Sequence, residues 1–185
     1  MSLEAYAKAR PEFRARVIAH KKDRALRLGG NVTLIFEDEL TIRYQVQEML
    51  RAERIFEERG IIDELQAYNP LVPDGSNWKA TMMIEYPDEA ERRSKLAQLH
   101  GIEDRVWVQV QGCDRVYAVA DEDLERENEL KTSAVHFLRF ELDAAMIVAL
   151  RGGAALAIGV EHPNYTATVA RVADATRASL LTDLV

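Results

Sequence analysis

The chain has 185 residues, 48% of them hydrophobic and 30% charged, with a formal net charge of −7. Such a balance suits a globular protein long enough to bury a core, and its acidity argues against a general binder of the phosphate backbone. A single cysteine rules out an intrachain disulfide or a thiolate cluster, and no apolar run approaches the roughly 18 to 20 residues of a bilayer span. The opening MSLEAYAKARPEF carries charges where a signal peptide has its apolar centre, so a cytoplasmic protein is expected.

In chain order, residues 10–28 read as a helix with Pro11 in its first turn and Gly29-Gly30 as its stop. NVTLIFE (31–37) alternates and is rich in β-branched residues, the pattern of a strand. Residues 40–59 read as a long helix closed by Gly60, and a second helix of about 61–68 halts before Asn69-Pro70. YNPLVPDGSN (68–77) is a loop with an Asp-Gly turn signal. Strands follow at 78–86, 105–111 and 115–120, the last two forming a hairpin around Gly112-Cys113-Asp114, with a helix at 88–100. A charged helix at 121–130 leads to a strand at 133–142, and a helix at 143–151 has Asp143 as its N-cap. A strand at 154–160 and a helix at 174–184 complete the chain.

The expected fold class is α+β, as one domain over 1–185, with a mostly antiparallel sheet, helices packed on it and an N-terminal helical region. The order β-α-β-β-α-β within 78–142 fits a ferredoxin-like unit, and also other α+β sheets.

Two polar residues interrupt apolar patterns. On a helix running through 59, Ile42, Val46, Met49, Leu50 and Phe56 share one face, and Glu53 falls within it, about 20° from Ile42. A buried carboxylate has to be neutral, paired with a cation or bound to a metal, so Glu53 is either a structural ion-pair partner or a functional acid, base or ligand. His136 shares its strand face with Leu138, Phe140 and Leu142, as a hydrogen-bonded core residue or as part of a site. Glu53 and His136 are the candidate catalytic pair if the fold brings them together.

The metal signal is weak. His20, His100, His136 and His162 form no helical pair, and Glu48 and Glu53 are wrongly spaced to converge; His100 with Glu103 and Asp104 is the type of cluster common on surfaces. Asp74, Ser76, Asn77 and Lys79 surround Trp78 in a loop composed like a pocket rim, so they are candidate ligand-binding residues; the plainer reading is a loop that satisfies its own backbone. The glycine pairs match neither dinucleotide nor phosphate-loop patterns, and nothing near Cys113 marks an activated thiol. Segment 10–27 carries seven Arg or Lys against two acids and contrasts with the acidic 121–129, which offers either solvated faces or a dock for an acidic partner.

The strings QVQEMLRAERIFEE (45–58), YNPLVPDGSNWKATMMIEYPD (68–88), GIEDRVWVQV (101–110), DEDLERENELKTSAVHFLRFEL (121–142) and HPNY (162–165) resemble a bacterial domain-of-unknown-function family. The resemblance covers most of the chain and implies no activity. It implies genes encoded beside rubrerythrin-like and iron–sulfur oxidoreductase-like proteins, and hence an accessory role in redox or peroxide metabolism. The chain lacks the cysteines for its own cluster and the paired Glu-x-x-His motifs of a di-iron protein. Three readings stay open: an accessory protein, dimeric, that serves a redox partner; a small-molecule enzyme around Glu53 and His136; and a structural or oligomeric interaction protein. Cofactor and substrate are not legible.

Overall fold

The computed structural model describes residues 1–122 and 132–185. Helix α1 (Leu3–Lys22) starts at Ser2, whose hydroxyl accepts the Ala5 amide, well before the start expected near residue 10. Pro11 therefore lies inside the helix, and only Tyr6 and Val17 are buried along it. The chain then leaves the helix at Asp23 and forms β1 (Ala25–Leu28) where a helix was expected to continue. Leu26 and Leu28 alternate inward with Ala25 and Arg27 outward, and that period of two suits a strand. Gly29, at φ +69°, turns the chain into β2 (Val32–Glu37) instead of ending a helix.

Helix α2 (Glu39–Ala52) opens with a capping box between Asp38 and Thr41. It stops seven residues short of the expected end because Arg54 takes a left-handed conformation, φ +56°, and the chain restarts as α3 (Glu58–Tyr68). Next come β3 (Asn77–Ile84), α4 (Glu89–Gln98), β4 (Val106–Val110), β5 (Arg115–Tyr117), β6 (Val119–Ala120) and β7 (Val135–Glu141). The acidic helix expected over 121–130 falls almost wholly outside the described residues. Helix α5 (Ala144–Arg151) is capped by Asp143 as expected, and β8 (Leu156–His162), β9 (Tyr165–Val169) and α6 (Asp174–Leu181) follow. Strand β9 has no counterpart among the strands expected from the sequence.

The α+β class holds: the strands form two antiparallel sheets, β1-β2-β3-β7-β6 and β5-β4-β8-β9. The ferredoxin-like arrangement does not form. It would need β3, β4, β5 and β7 in one sheet, whereas β3 pairs with β7 in the first sheet and β4 pairs with β5 and β8 in the second. The expected second arm of the hairpin is divided at Ala118, so that β5 pairs with β4 and β6 crosses to β7. Side chains of both sheets, among them Phe36, Trp78, Phe140, Val108 and Ile158, make one apolar core. Ile42, Val46 and Leu50 of α2 form a separate, smaller cluster with residues of α1 and α3. No helix among the described residues is long and apolar enough to cross a membrane.

Candidate functional site

His136 lies on β7 opposite Met82 of β3, and its face is buried as the alternation requires: His136, Leu138 and Phe140 point inward. The imidazole is fully enclosed. Its Nδ1 is 2.5 Å from Asp121 Oδ2. Among the described residues, its Nε2 faces Thr132 Oγ1 at 2.9 Å, the Ser133 carbonyl at 3.0 Å and Glu103 Oε2 at 3.8 Å.

Each partner is placed by backbone geometry. Asp121 follows β6 in a left-handed conformation, φ +45°, an arrangement that Asp adopts more readily than most residues. Its amide donates to the Phe137 carbonyl at 2.9 Å, and its Oδ1 accepts the Phe137 amide at 2.8 Å. These bonds tie the carboxylate to the strand that carries His136. Glu103 opens a 3-10 turn (Glu103–Arg105) before β4 and turns inward, 7% exposed, while Asp104 beside it faces solvent. One ligand atom from each of Glu103, Asp121 and His136 lies within 4.8 Å of the others.

The proton inventory makes this group unusual. A carboxylate and a carbonyl only accept hydrogen bonds, so an Nε2 lone pair would face the Ser133 carbonyl and Glu103 in mutual repulsion. A proton on Nε2 relieves that repulsion, and so does a cation held between Nε2 and the oxygens. With Nδ1–H donating to Asp121, the ring has the orientation that metal-ligating histidines take from a carboxylate behind them.

The expected partnership of Glu53 with His136 does not form. Glu53 is the C-cap of α2 and is exposed, because the helix ends at Ala52 and the apolar face computed through Phe56 stops with it. Phe56 is itself 68% exposed. Glu103 and Asp121 take the place that Glu53 was expected to fill.

The four loop candidates do not converge on one ligand. Asp74 accepts both the amide and the hydroxyl of Ser76, and Asn77 accepts the Asp74 amide. Ser76 and Asn77 also donate to Glu141. The Asn77 amide, ahead of the Ser76 bonds, holds the Asp74 carboxyl below its ordinary range. Lys79 lines a different cavity, of about 100 Å³, with Asp121, Glu122 and Arg139. The basic segment is also dispersed: Arg24 is fully buried and Arg10 is paired with Glu48, which leaves Arg14, Arg16, Lys22 and Arg27 exposed.

A family model described as "Protein of unknown function (DUF3501)" matches residues 1–184. Among solved structures, the chain is similar to a novel protein of unknown function from Burkholderia pseudomallei. The two share 58% sequence identity at a TM-score of 0.95, over 100% of this chain and 96% of that one. No curated protein matches the chain.

Proposed function

The chain belongs to the DUF3501 family, and we propose that it binds a divalent metal ion through His136 Nε2 and Glu103, with Asp121 holding the imidazole in place. The observation that carries this reading is the convergence of a hydroxyl, a carbonyl and a carboxylate oxygen on a buried Nε2. In octahedral coordination with bonds of about 2.1 Å, adjacent ligand atoms stand about 3.0 Å apart. Thr132 Oγ1 and the Ser133 carbonyl lie at such separations from Nε2, and the Glu103 oxygen needs only a small side-chain adjustment.

One imidazole among oxygen donors suits iron(II), manganese(II) or zinc better than the soft ions that prefer thiolate. The rubrerythrin-like and iron–sulfur oxidoreductase-like neighbours implied by the family resemblance favour the redox-active members of that set. They support a role as an accessory protein to a redox system, with the exposed cations of α1 offered to an acidic partner. The bound ion would supply a Lewis-acidic or redox centre, and the chain's own contribution is to orient the ring and exclude water.

Metal analysis of native protein beside His136→Ala and Glu103→Gln tests the reading. One ion per chain, retained through gel filtration and lost from both variants, is the expected result. Absence of uptake from iron(II), manganese(II) or zinc, together with ¹⁵N spectra showing protons on both His136 nitrogens, would identify a structural imidazolium instead.

A further inference from the structure

Helix α2 ends where its sequence does not. Segment RAERIFEER (51–59) holds neither glycine nor proline, and Ile42, Val46, Leu50 and Phe56 would share one face if the helix ran on. Arg54 instead takes a left-handed conformation, φ +56°. The amide of Ile55 donates back to the Leu50 carbonyl at 2.9 Å, so Arg54 occupies the helix-end position that glycine fills most often. A residue with a Cβ is strained there, and the turn leaves Phe56 68% exposed. Gly60 makes room for the fold-back: a Cβ on it would stand 2.7 Å from Ile55 Cγ2. The helix that follows, α3, buries none of its residues, and Ile62 and Leu65 are 45% and 39% exposed.

Straightening this break would relieve Arg54 and add helical hydrogen bonds through 53–57, but a single chain has no way to do it and keep its sheet. A continuous helix over 39–68 would be about 45 Å long, and the eight residues 69–76 reach at most about 30 Å when fully extended. Strand β3 begins at Asn77 and pairs with the end of β2, Lys79 opposite Glu37, immediately before α2. The far end of a straight helix therefore falls short of its own sheet, and β2 has to pair with β3 of a second copy.

We propose that Arg54 is the hinge of a domain-swapped dimer, in which two copies exchange residues 1–53 and α2 and α3 of each chain join into one helix. The β2–β3 ladder and the packing of α3 on α2 are remade between copies, so the exchange leaves the core as it is. What changes is the hinge. Arg54 becomes helical, Phe56 comes onto the face of Ile42, Val46 and Leu50, and the two-fold arrangement closes without open ends.

The full-length chain is refolded from urea at high protein concentration, and its monomer and dimer are separated by gel filtration with light scattering. A dimer with helical ¹³Cα shifts over 53–57 is expected, beside a monomer that is left-handed at Arg54. Arg54→Gly removes the left-handed cost at both hinges and should favour the monomer about 30-fold or more. Gly60→Ala acts in the opposite direction: it favours the helix and crowds the turn, so the dimer fraction should rise. Absence of a dimer overturns the proposal. So does a dimer that keeps Arg54 left-handed, or a dimer fraction that Arg54→Gly does not lower or Gly60→Ala does not raise.

Discussion

The guanidinium of Arg24 meets the carboxylate of Asp183 at 2.5 Å across a sequence separation of 159 residues, tying the end of the chain to the first hairpin. Arg24 is fully buried and spends its remaining donors on the carbonyls of Phe36, Glu37 and Ser179. Burial, opposed by Arg24, leaves the Asp183 carboxyl above its ordinary range. The two ends of the pair should therefore respond differently to removal. Arg24→Met strands a buried carboxylate and takes a donor from the Phe36 and Glu37 carbonyls, while the Ser179 carbonyl keeps Thr182, and we expect a loss of about 3 to 5 kcal/mol in urea unfolding. Asp183→Asn keeps an acceptor, and Arg24 retains Asp38 at 3.6 Å, so a smaller loss of about 1 kcal/mol is expected. Equal costs would show that the charge of Asp183, and not the carbonyl network, anchors α6.

Acid should draw stability from the contact between α1 and α2. Bidentate hydrogen bonding from Arg10, opposed by burial and helped by the Tyr6 hydroxyl, brings the Glu48 carboxyl down to about 2. Its folded pKa is below its unfolded value of about 4.3, so the contribution to stability is present in full above that value. It is lost as pH falls from there towards 2. Asp38 acts in the same direction: burial raises its carboxyl, but the Thr41 amide, His20 and Arg24 together outweigh that and lower it. Urea midpoints measured between neutrality and pH 2 should fall along this window. Glu48→Gln should be less stable at neutral pH and show a flatter acid limb. A limb of unchanged slope would place the acid sensitivity elsewhere.

The contrast between Glu53 and His136 shows what could be read from the sequence. The inward face of β7 follows from a period of two over consecutive residues, and His136 lies where that period puts it. The angle assigned to Glu53 assumed a helix continuing past Ala52, and no glycine or proline in RAERIFEE announces the left-handed turn at Arg54. Angular arithmetic has no meaning beyond such a turn. Glu103 was visible as one of three neighbouring polar residues, but not which of them turns inward. Asp121 meets His136 through a strand that crosses between sheets at Ala118, a contact that no local period encodes. The same crossing defeated the ferredoxin-like topology, since the order of elements says nothing about which sheet receives each strand.

Asp121 gives the sharpest separation between orienting a metal ligand and merely filling space. Asn tolerates left-handed backbone angles, so Asp121→Asn should preserve the turn at φ +45° and the bond from the Phe137 amide. It removes the negative charge behind Nδ1. Loss of such a partner typically weakens a metal site about 10- to 100-fold, and that is the expected change in affinity for iron(II), manganese(II) or zinc by competition with a chelator. Unchanged affinity in a folded variant would exclude Asp121 as the orienting group.

The second sheet carries a close approach that a single methyl group should disrupt. Gly159 of β8 lies opposite Trp107 of β4, and a Cβ at that position would collide with the indole ring. Trp107 is 1% exposed, and the Arg115 guanidinium lies over its ring at 3.9 Å from the centroid, so the indole is held from the far side. Gly159→Ala has no room to be absorbed by a simple ring rotation, and an overpacking cost of about 1 to 3 kcal/mol is expected. Because Trp107 is the residue displaced, its fluorescence should shift and its near-ultraviolet dichroism should weaken. Combining Gly159→Ala with Trp107→Leu removes the opposing ring, and the pair should cost less than the sum of the two single changes. Strict additivity in urea unfolding would mean that the strand spacing, and not the indole, limits what position 159 accepts.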